Sequence, residues 1–506
     1  MTKRLLALFL AMLLPLGAMA TASGEKAPLF DKTLEISILA QTWSPYSTET
    51  TLIPEIEKAT NTKITVEWAP RQDFDTRVNA LLATGDLPDV IIGADTVKLI
   101  DQGAVVPLTQ YYTEDYAPDM LKVLNDTDYV RLRNVNDGEI YNFAYTFDFP
   151  PIFSFLVRQD WLDKLNMEVP TDWDGWLAYW RAVRDQDMNG DGDPTNEIPI
   201  AGSADQMMMS FGIVVDGLNA AQNYFCYMPD GSYGLIQEHP NYQAYLTAMN
   251  QLYSEGLLDR EFATRDMAGW YKVMDSNLGG SCWAAAEQSK LTSQVLRQSD
   301  PNATAVCCPP PKGPLGDQCV PARNKVSPMG VVTVAAEDKA GDIVRFFNWL
   351  YSDEGASLMN YGVEGVHHEV VDGKPKLLSP YVDSFVNARG AGLIFQPFPF
   401  LWLQDNYMQI LLTGKTYDEL DDLTKNFYDG LFMQEPYFTP VAPTLVTDAF
   451  TQYSADIFPS LREMAANVTA GRITLDDYNK QYEQLKGQGL QAIIDDAAAA
   501  WEVVGK

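Results

Sequence analysis

The residues best suited to chemistry lie between positions 185 and 197. There Asp185, Asp187, Asp191, Asp193 and Glu197 place five carboxylates within thirteen residues, with no basic side chain among them. Asn189 and Asn196 add amide oxygens, and Gly190 and Gly192 permit tight turns. Oxygen side chains at alternate positions on a glycine-punctuated loop are what a hard cation such as Ca²⁺ takes. The match to an EF-hand loop is imperfect. Counting from Asp185 puts Asn196 at the place of the bidentate Glu, and counting from Asp187 puts Ile198 there. Pro199 also follows too closely for a second flanking helix. The alternative to a calcium loop is a solvated Asn-Gly/Asp-Gly turn, and the spacing favours calcium. A calcium ion here would clip the structure together rather than catalyse.

A second set of candidates is aromatic. Trp43-Ser44-Pro45-Tyr46 follows an alternating run that reads as a strand, and Asp95 follows a short apolar run at 89–93. In open parallel sheets, ligands sit at the carboxyl ends of strands. Trp and Tyr faces suit the C–H faces of sugar rings, whose hydroxyls want acids, amides and Arg. Trp270, Trp283 and Trp402 are further candidate platforms, although tryptophans pack in cores more often than they touch ligand.

Catalytic motifs are missing. The three histidines are His239, His367 and His368, and an adjacent pair cannot share one helix face as metal ligands. No GxSxG elbow, P-loop or HExxH occurs. With 68 acids, a glycosidase-type carboxylate pair is the enzyme alternative that the sequence leaves open.

The elements that must position these residues are legible in outline. Leu34, Ile36, Ile38 and Ala40 alternate as a strand, Leu52, Ile56 and Ala59 recur at helical spacing, and Ile64, Val66 and Trp68 alternate again. Phe74, Val78, Leu81 and Leu82 form a second helix closed by Gly85, followed by the strand 89–93. This order predicts right-handed crossovers and a parallel sheet covered on both faces. A second region opens with a strand at Phe153–Val157 and a helix at Asp160–Leu165. Thr171 with Asp174 predicts a capping box for the next helix. Helices are expected at Tyr242–Ser254 and Ile343–Tyr351, a strand at Val331–Val334, and a largely helical C-terminal part softened at Gly487 and Gly489.

Totals bound the class. The first twenty residues carry Lys3 and Arg4, an apolar run from Leu5 to Leu16, and Ala18-Met19-Ala20, the pattern of a cleavable export signal. The 506 residues suggest two to four domains. A formal charge of −32 disfavours nucleic acid and anionic membrane faces as partners. Five cysteines, four of them between 282 and 319, leave room for one or two loop disulfides, and no CxxC zinc spacing occurs. No cysteine stands near residue 20 for lipid attachment, so a protein free in the periplasm or medium is expected.

Several stretches resemble the extracellular solute-binding proteins, family 1, of ATP-driven sugar importers, in particular the large oligosaccharide- and alginate-binding type. They are Leu81-Leu82-Ala83-Thr84-Gly85-Asp86-Leu87-Pro88-Asp89-Val90, Val157 through Leu165, Asp187 through Pro199, Leu252 through Asp259, and the Glu354-Gly355 and Glu364-Gly365 pairs. The resemblance covers nearly the whole chain after residue 20. It implies an α/β, two-lobed periplasmic-binding-protein-like fold with a hinge and a helix-rich C-terminal region. Lobe 1 is expected at 34–150 plus about 290–365, and lobe 2 at 151–289 plus about 366–506. The likeness also implies a structural Ca²⁺ held by Asp187, Asn189, Asp191, the backbone of Asp193, and Asn196 or Glu197; the loop is one residue longer after Asp193 than the usual pattern. It implies a monomer that captures a carbohydrate, for which an oligosaccharide is expected, closes about the hinge, and is recognised by importer permease subunits. The alternatives are an exported, calcium-stabilised carbohydrate-active enzyme and a ligand sensor for a membrane receptor.

Overall fold

The structure, a computed structural model, describes residues 27–42, 52–70, 73–124, 126–146, 153–214, 224–322, 326–371, 374–378 and 417–505. The expected export signal, Trp43, Tyr46 and Trp402 lie outside the described residues. In chain order the strands are β1 Leu34–Thr42, β2 Thr62–Pro70, β3 Val90–Ile92, β4 Asn142–Thr146, β5 Phe153–Arg158, β6 Ile198–Ile200, β7 Phe225–Tyr227 and β8 Tyr233–Leu235. They continue as β9 Gly279–Ala285, β10 Ala305–Cys308, β11 Val320–Pro321, β12 Val326–Val332, β13 His368–Val371, β14 Lys374–Leu377 and β15 Phe438–Thr439.

Two sheets organise two lobes. The first has the order β2-β1-β3-β12-β4 and the second β10-β5-β9-β6. In β1 the alternation does what its period requires. Ile36, Ile38 and Ala40 pack with Leu52, Ile56, Ile343 and Phe347 on one face, while Leu39 meets Phe74, Val78 and Leu81 on the other. Helix Phe74–Thr84 ends at Gly85, whose left-handed φ of 73° lets its N–H reach the Leu81 carbonyl. In the second lobe, helix Trp173–Asp185 lays Trp176 and Trp180 against Phe155, with the two indoles stacked at 5.4 Å.

The observed order amends several expectations. The first sheet is parallel only through β2, β1 and β3, because β12 inserts antiparallel between β3 and β4. A strand so distant in sequence could be read as a strand, but its neighbours could not. The second lobe does not end near residue 290. Helix Glu287–Leu296 packs on helix Asp422–Met433, and β10 pairs with β5 from Ala305↔Arg158 to Cys308↔Phe155, so the return to the first lobe falls between Cys308 and Val326. Nor does the first lobe end at 365. The β13–β14 hairpin stays beside helix Asp353–Tyr361, with His368 Nδ1 3.0 Å from the Tyr361 carbonyl and His367 Nδ1 accepting the Val363 N–H. Both histidines are thus occupied with backbone. The N-cap of helix Trp173–Asp185 is Asp172 rather than Thr171, since its carboxylate takes the Gly175 N–H at 2.8 Å.

The C-terminal helices Asp448–Thr469, Leu475–Leu485 and Gln491–Val504 complete the second lobe, with the expected soft break realised as a wider turn over Lys486–Leu490. Gly489 there has a φ of 125° and lies against the Tyr453 ring, where a Cβ would collide. The last helix also reaches across to the first lobe, where Ala500 and Val504 pack with Val130.

All five cysteines are buried free thiols, so the room left for disulfides is not used. Cys282 and Cys307 are paired to opposite sides of the same β5 residue, Leu156. Two strand spacings separate them by about 10 Å, beyond the Cα reach of a disulfide. Burial pushes the Cys307 thiol up to about 11 and those of Cys226 and Cys319 up to about 12, and raises Cys282 and Cys308 as well. Raised values keep the unreactive thiol form through neutral and mildly alkaline pH. The native protein is therefore expected to stay unlabelled by a thiol reagent at pH 7 and at pH 9, and to show five thiols once denatured. Rapid labelling of native protein would contradict this burial.

Candidate functional site

Strand directions locate the site. β1, β2, β3 and β4 all run the same way, opposite to β12, so their carboxyl ends share one edge with the start of β12. In the second sheet β6, β9 and β10 run together against β5, so their carboxyl ends share one edge with the start of β5. The chain passes from the end of β4 to the start of β5, and returns from the end of β10 to the start of β12. Both crossings therefore join carboxyl edge to carboxyl edge. The residues that follow the strands of each lobe face the junction between the lobes, where open α/β sheets hold ligands.

On the first lobe this edge carries Gln41, Gly93 and Asp95. The Gln41 Nε2 donates to the Gly93 carbonyl at 3.1 Å, and its amide carbon lies 3.3 Å from where a Cβ on Gly93 would stand. Asp95 is exposed and caps helix Thr96–Asp101, one oxygen accepting the Lys98 N–H at 3.4 Å. Trp43 and Tyr46 follow β1 in sequence but lie outside the described residues, as does Trp402.

On the second lobe, β6 runs through Gly202 into the short helix Ala204–Phe211, and β9 runs through Ala286 into helix Glu287–Leu296. Helix Met267–Asp275 lies along β9, its Tyr271 hydroxyl accepting the Ala285 N–H at 3.2 Å. Trp270 lies in the same helix, 5% exposed, with an Nε1–H that finds no acceptor among the described residues. Trp283 is placed differently. It points into the core, 1% exposed, edge-on to Phe155 at 5.4 Å, and its Nε1–H is likewise without an acceptor. Asp95 thus lies at the first lobe's edge, while Trp283 packs into the core of the second lobe. Gln41 and Glu287 were passed over in the sequence; the signal for each is its place at or just beyond a strand's carboxyl end.

The acidic loop lies elsewhere, at the opposite end of β6. Its side chains cap its own backbone. Asp187 accepts the Gly190 and Gly192 N–H groups at 2.7 and 2.9 Å, Asn189 accepts from Asp191, Asp191 from Asp193, and Asp193 from Thr195. Gly190 and Gly192 adopt φ values of 77° and 93°, which allow the loop to fold back. The Asp193 N–H and then the Asn196 amide hold the Asp191 carboxyl below its usual range. Asn196 is fully engaged, accepting from Asn189 and donating to Asp191. Glu197 is not. Its Oε1 accepts the Met188 and Asn189 N–H groups, while Oε2 is buried with no partner. A buried oxygen so placed is costly unless a donor or a cation meets it. No three acidic, His or Cys groups converge among the described residues as the loop stands. The donor set nonetheless fits a hard cation through that orphaned oxygen and the oxygen-only chemistry of its neighbours.

Two α/β lobes joined by paired crossings bring the carboxyl ends of both sheets to one junction. Residues 40–207 match the family model described as bacterial extracellular solute-binding protein. The chain is similar along 98% of its length, at 24% identity, to lipoprotein LipO of Bacillus subtilis, covering 97% of that relative. A fructooligosaccharide ABC transporter substrate-binding protein, FusA of Streptococcus pneumoniae serotype 4, is 28% identical over 52% of this chain and 53% of its own. The fold matches the crystal structure of an extracellular solute-binding protein from Bifidobacterium longum subsp. infantis with a TM-score of 0.68, at 20% identity, over 94% of this chain and 99% of that one. Among the described residues no helix is long and apolar enough to cross a membrane.

Proposed function

We propose that this protein works outside the cytoplasmic membrane, captures a carbohydrate between its lobes, and hands it to a membrane importer. The observation that carries this reading is the edge-to-edge crossing, which turns the ligand-facing ends of both sheets toward one junction. FusA is named for fructooligosaccharide binding and for an ABC transporter, which supports an oligosaccharide and an importer here as well. Closure would bring contacts from both lobes onto the ligand. A ligand shifts such an equilibrium from 1:99 to 99:1 by preferring the closed form by ~5.5 kcal/mol, within the roughly 8 kcal/mol of micromolar binding.

Trp43, Tyr46 and Trp402 are proposed as stacking faces, Asp95 as an acceptor for sugar hydroxyls and Trp270 as a donor. We also propose a structural Ca²⁺ held by Asp187, Asn189, Asp191, the Asp193 backbone and Glu197. Of the two residues between which the sequence left the last position open, Glu197 is favoured because its oxygen is the one without a partner. A bound cation would neutralise the loop and hold the entry to β6.

A panel of oligosaccharides screened by thermal shift and calorimetry tests the reading. Binding without turnover is expected, and hydrolysis of the panel would replace it with an enzymatic one. Trp270→Phe, which keeps a ring and removes the Nε1–H, is expected to weaken the ligand found by roughly three- to tenfold, the worth of one hydrogen bond. Undiminished affinity would assign Trp270 to packing.

A further inference from the structure

We infer that the lobes turn about a third, non-covalent attachment between helix Asp126–Leu132 of the first lobe and the C-terminal elements of the second, an inference that rests on capture between the lobes. The stretch from Gln434 to Leu445 joins two helices of the second lobe, yet it follows the crossings. The buried Gln434 amide donates to Ser154 Oγ at 2.9 Å and to the Cys308 carbonyl at 3.0 Å. These residues stand at the start of β5 and the end of β10, the second-lobe ends of the two crossings. Next, β15 pairs in parallel with β11 of the return crossing, where the Ala322 N–H reaches the Thr439 carbonyl at 2.8 Å. The Val441 carbonyl then accepts a hydrogen bond from Arg131 of the first lobe.

From there the contact is apolar. Leu445 joins Ala500 and Val504 of the last helix around Val130, all four buried, with Val135 and Trp501 packed against them. The Tyr233 ring stacks on Trp501 at 4.8 Å, and its hydroxyl donates to the Pro443 carbonyl at 2.8 Å, which braces the second lobe's side. On the first lobe, Leu132 packs with Ala144 and Val326, close to where β4 ends and β12 begins. The attachment thus lies beside the crossings in both lobes.

Position decides what such a contact does. Points near an axis of rotation move least, and lobes joined by two crossings bend where the crossings run. A close-packed apolar contact yields little to displacement. It therefore stays shut as a pivot while the carboxyl edges swing, and it resists the twist that two single-stranded crossings alone would allow. A looser pivot lowers the fraction of molecules whose edges face in register. Apparent affinity falls with that fraction, although no ligand-facing residue has changed.

Pulsed electron paramagnetic resonance tests this without any ligand. Nitroxides at Glu55→Cys and Gln294→Cys, exposed positions on helices of the first and second lobes, report the interlobe distance in the full-length mature protein. The five native thiols are buried and are expected not to compete for label. Val130→Asp puts a charge into the apolar cluster, whereas Arg131→Ala removes the hydrogen bond to Val441 and leaves the cluster in place. Each is expected to widen the distance distribution at least about twofold while cooperative melting of the protein persists. A distribution of unchanged width would overturn the pivot. So would one that keeps its width and only shifts, the mark of a strut that holds the lobes apart. If Val130→Asp does not fold, Arg131→Ala decides by the same measure. Ligand capture stands or falls on the oligosaccharide panel above, so failure of either reading shows separately.

Discussion

Removing calcium with a chelator is expected to lower the thermal midpoint of the native protein by roughly 5–10 °C. An ion present at about a hundred times its dissociation constant contributes about 2.7 kcal/mol, and each kcal/mol moves the midpoint of a domain of this size by about 2–4 °C. Glu197→Gln separates the ion from the fold. Glutamine keeps the Oε1 that accepts the Met188 and Asn189 N–H groups and replaces only the unpartnered Oε2. With calcium present the variant is expected to melt below the wild type. With chelator it is expected to melt at or above it, because an unpaired buried carboxylate oxygen has been removed. Differential scanning fluorimetry in metal-free buffer reads all four cases. A wild-type midpoint indifferent to calcium would sink the metal proposal.

Arg158→Ala is expected to cost about 3–5 kcal/mol, the range for removing one partner of a buried ion pair. Arg158 ends β5 at 1% exposure. It grips Asp160 with two hydrogen bonds of 2.9 and 2.6 Å, donates a third to Asn277 at 2.7 Å, and lies 4.4 Å over the Trp161 ring. Asp160 in turn takes the Thr304 N–H at 3.2 Å, tying in the approach to β10. Truncation leaves a carboxylate facing an apolar gap. A double replacement, Arg158→Met with Asp160→Leu, removes both charges and is expected to recover part of the loss, as judged by urea unfolding. A double variant as unstable as the sum of its single variants would show that the two residues are not coupled.

How much of this was legible in sequence follows the reach of each signal. Periodicity is local, so β1, helix Phe74–Thr84 with its Gly85 stop, and helix Tyr242–Ser254 could be read directly. Pairing is not local. Val331 alternates like any strand residue, but nothing near it says that it will sit between β3 and β4. The lobe boundary near 290 failed for the same reason, since β10 belongs to its partner β5 and not to its position. At the site, Asp95 could be found from its place after a strand, whereas Trp283 also lies near a strand's carboxyl end but packs into the core, which residue type alone does not reveal. In the acidic loop, spacing left Asn196 and Glu197 equivalent; only the hydrogen bonds distinguish them.

The insertion of β12 also bears on the order in which the lobes can form. A chain that emerges amino end first presents β3 and β4 long before the strand that joins them, and their facing edges stay unpaired until residue 332 has appeared. The second sheet has all its strands once Cys308 is out. The lobe that begins later is therefore the earlier one to complete its sheet, and the amino-terminal lobe has to wait open for it.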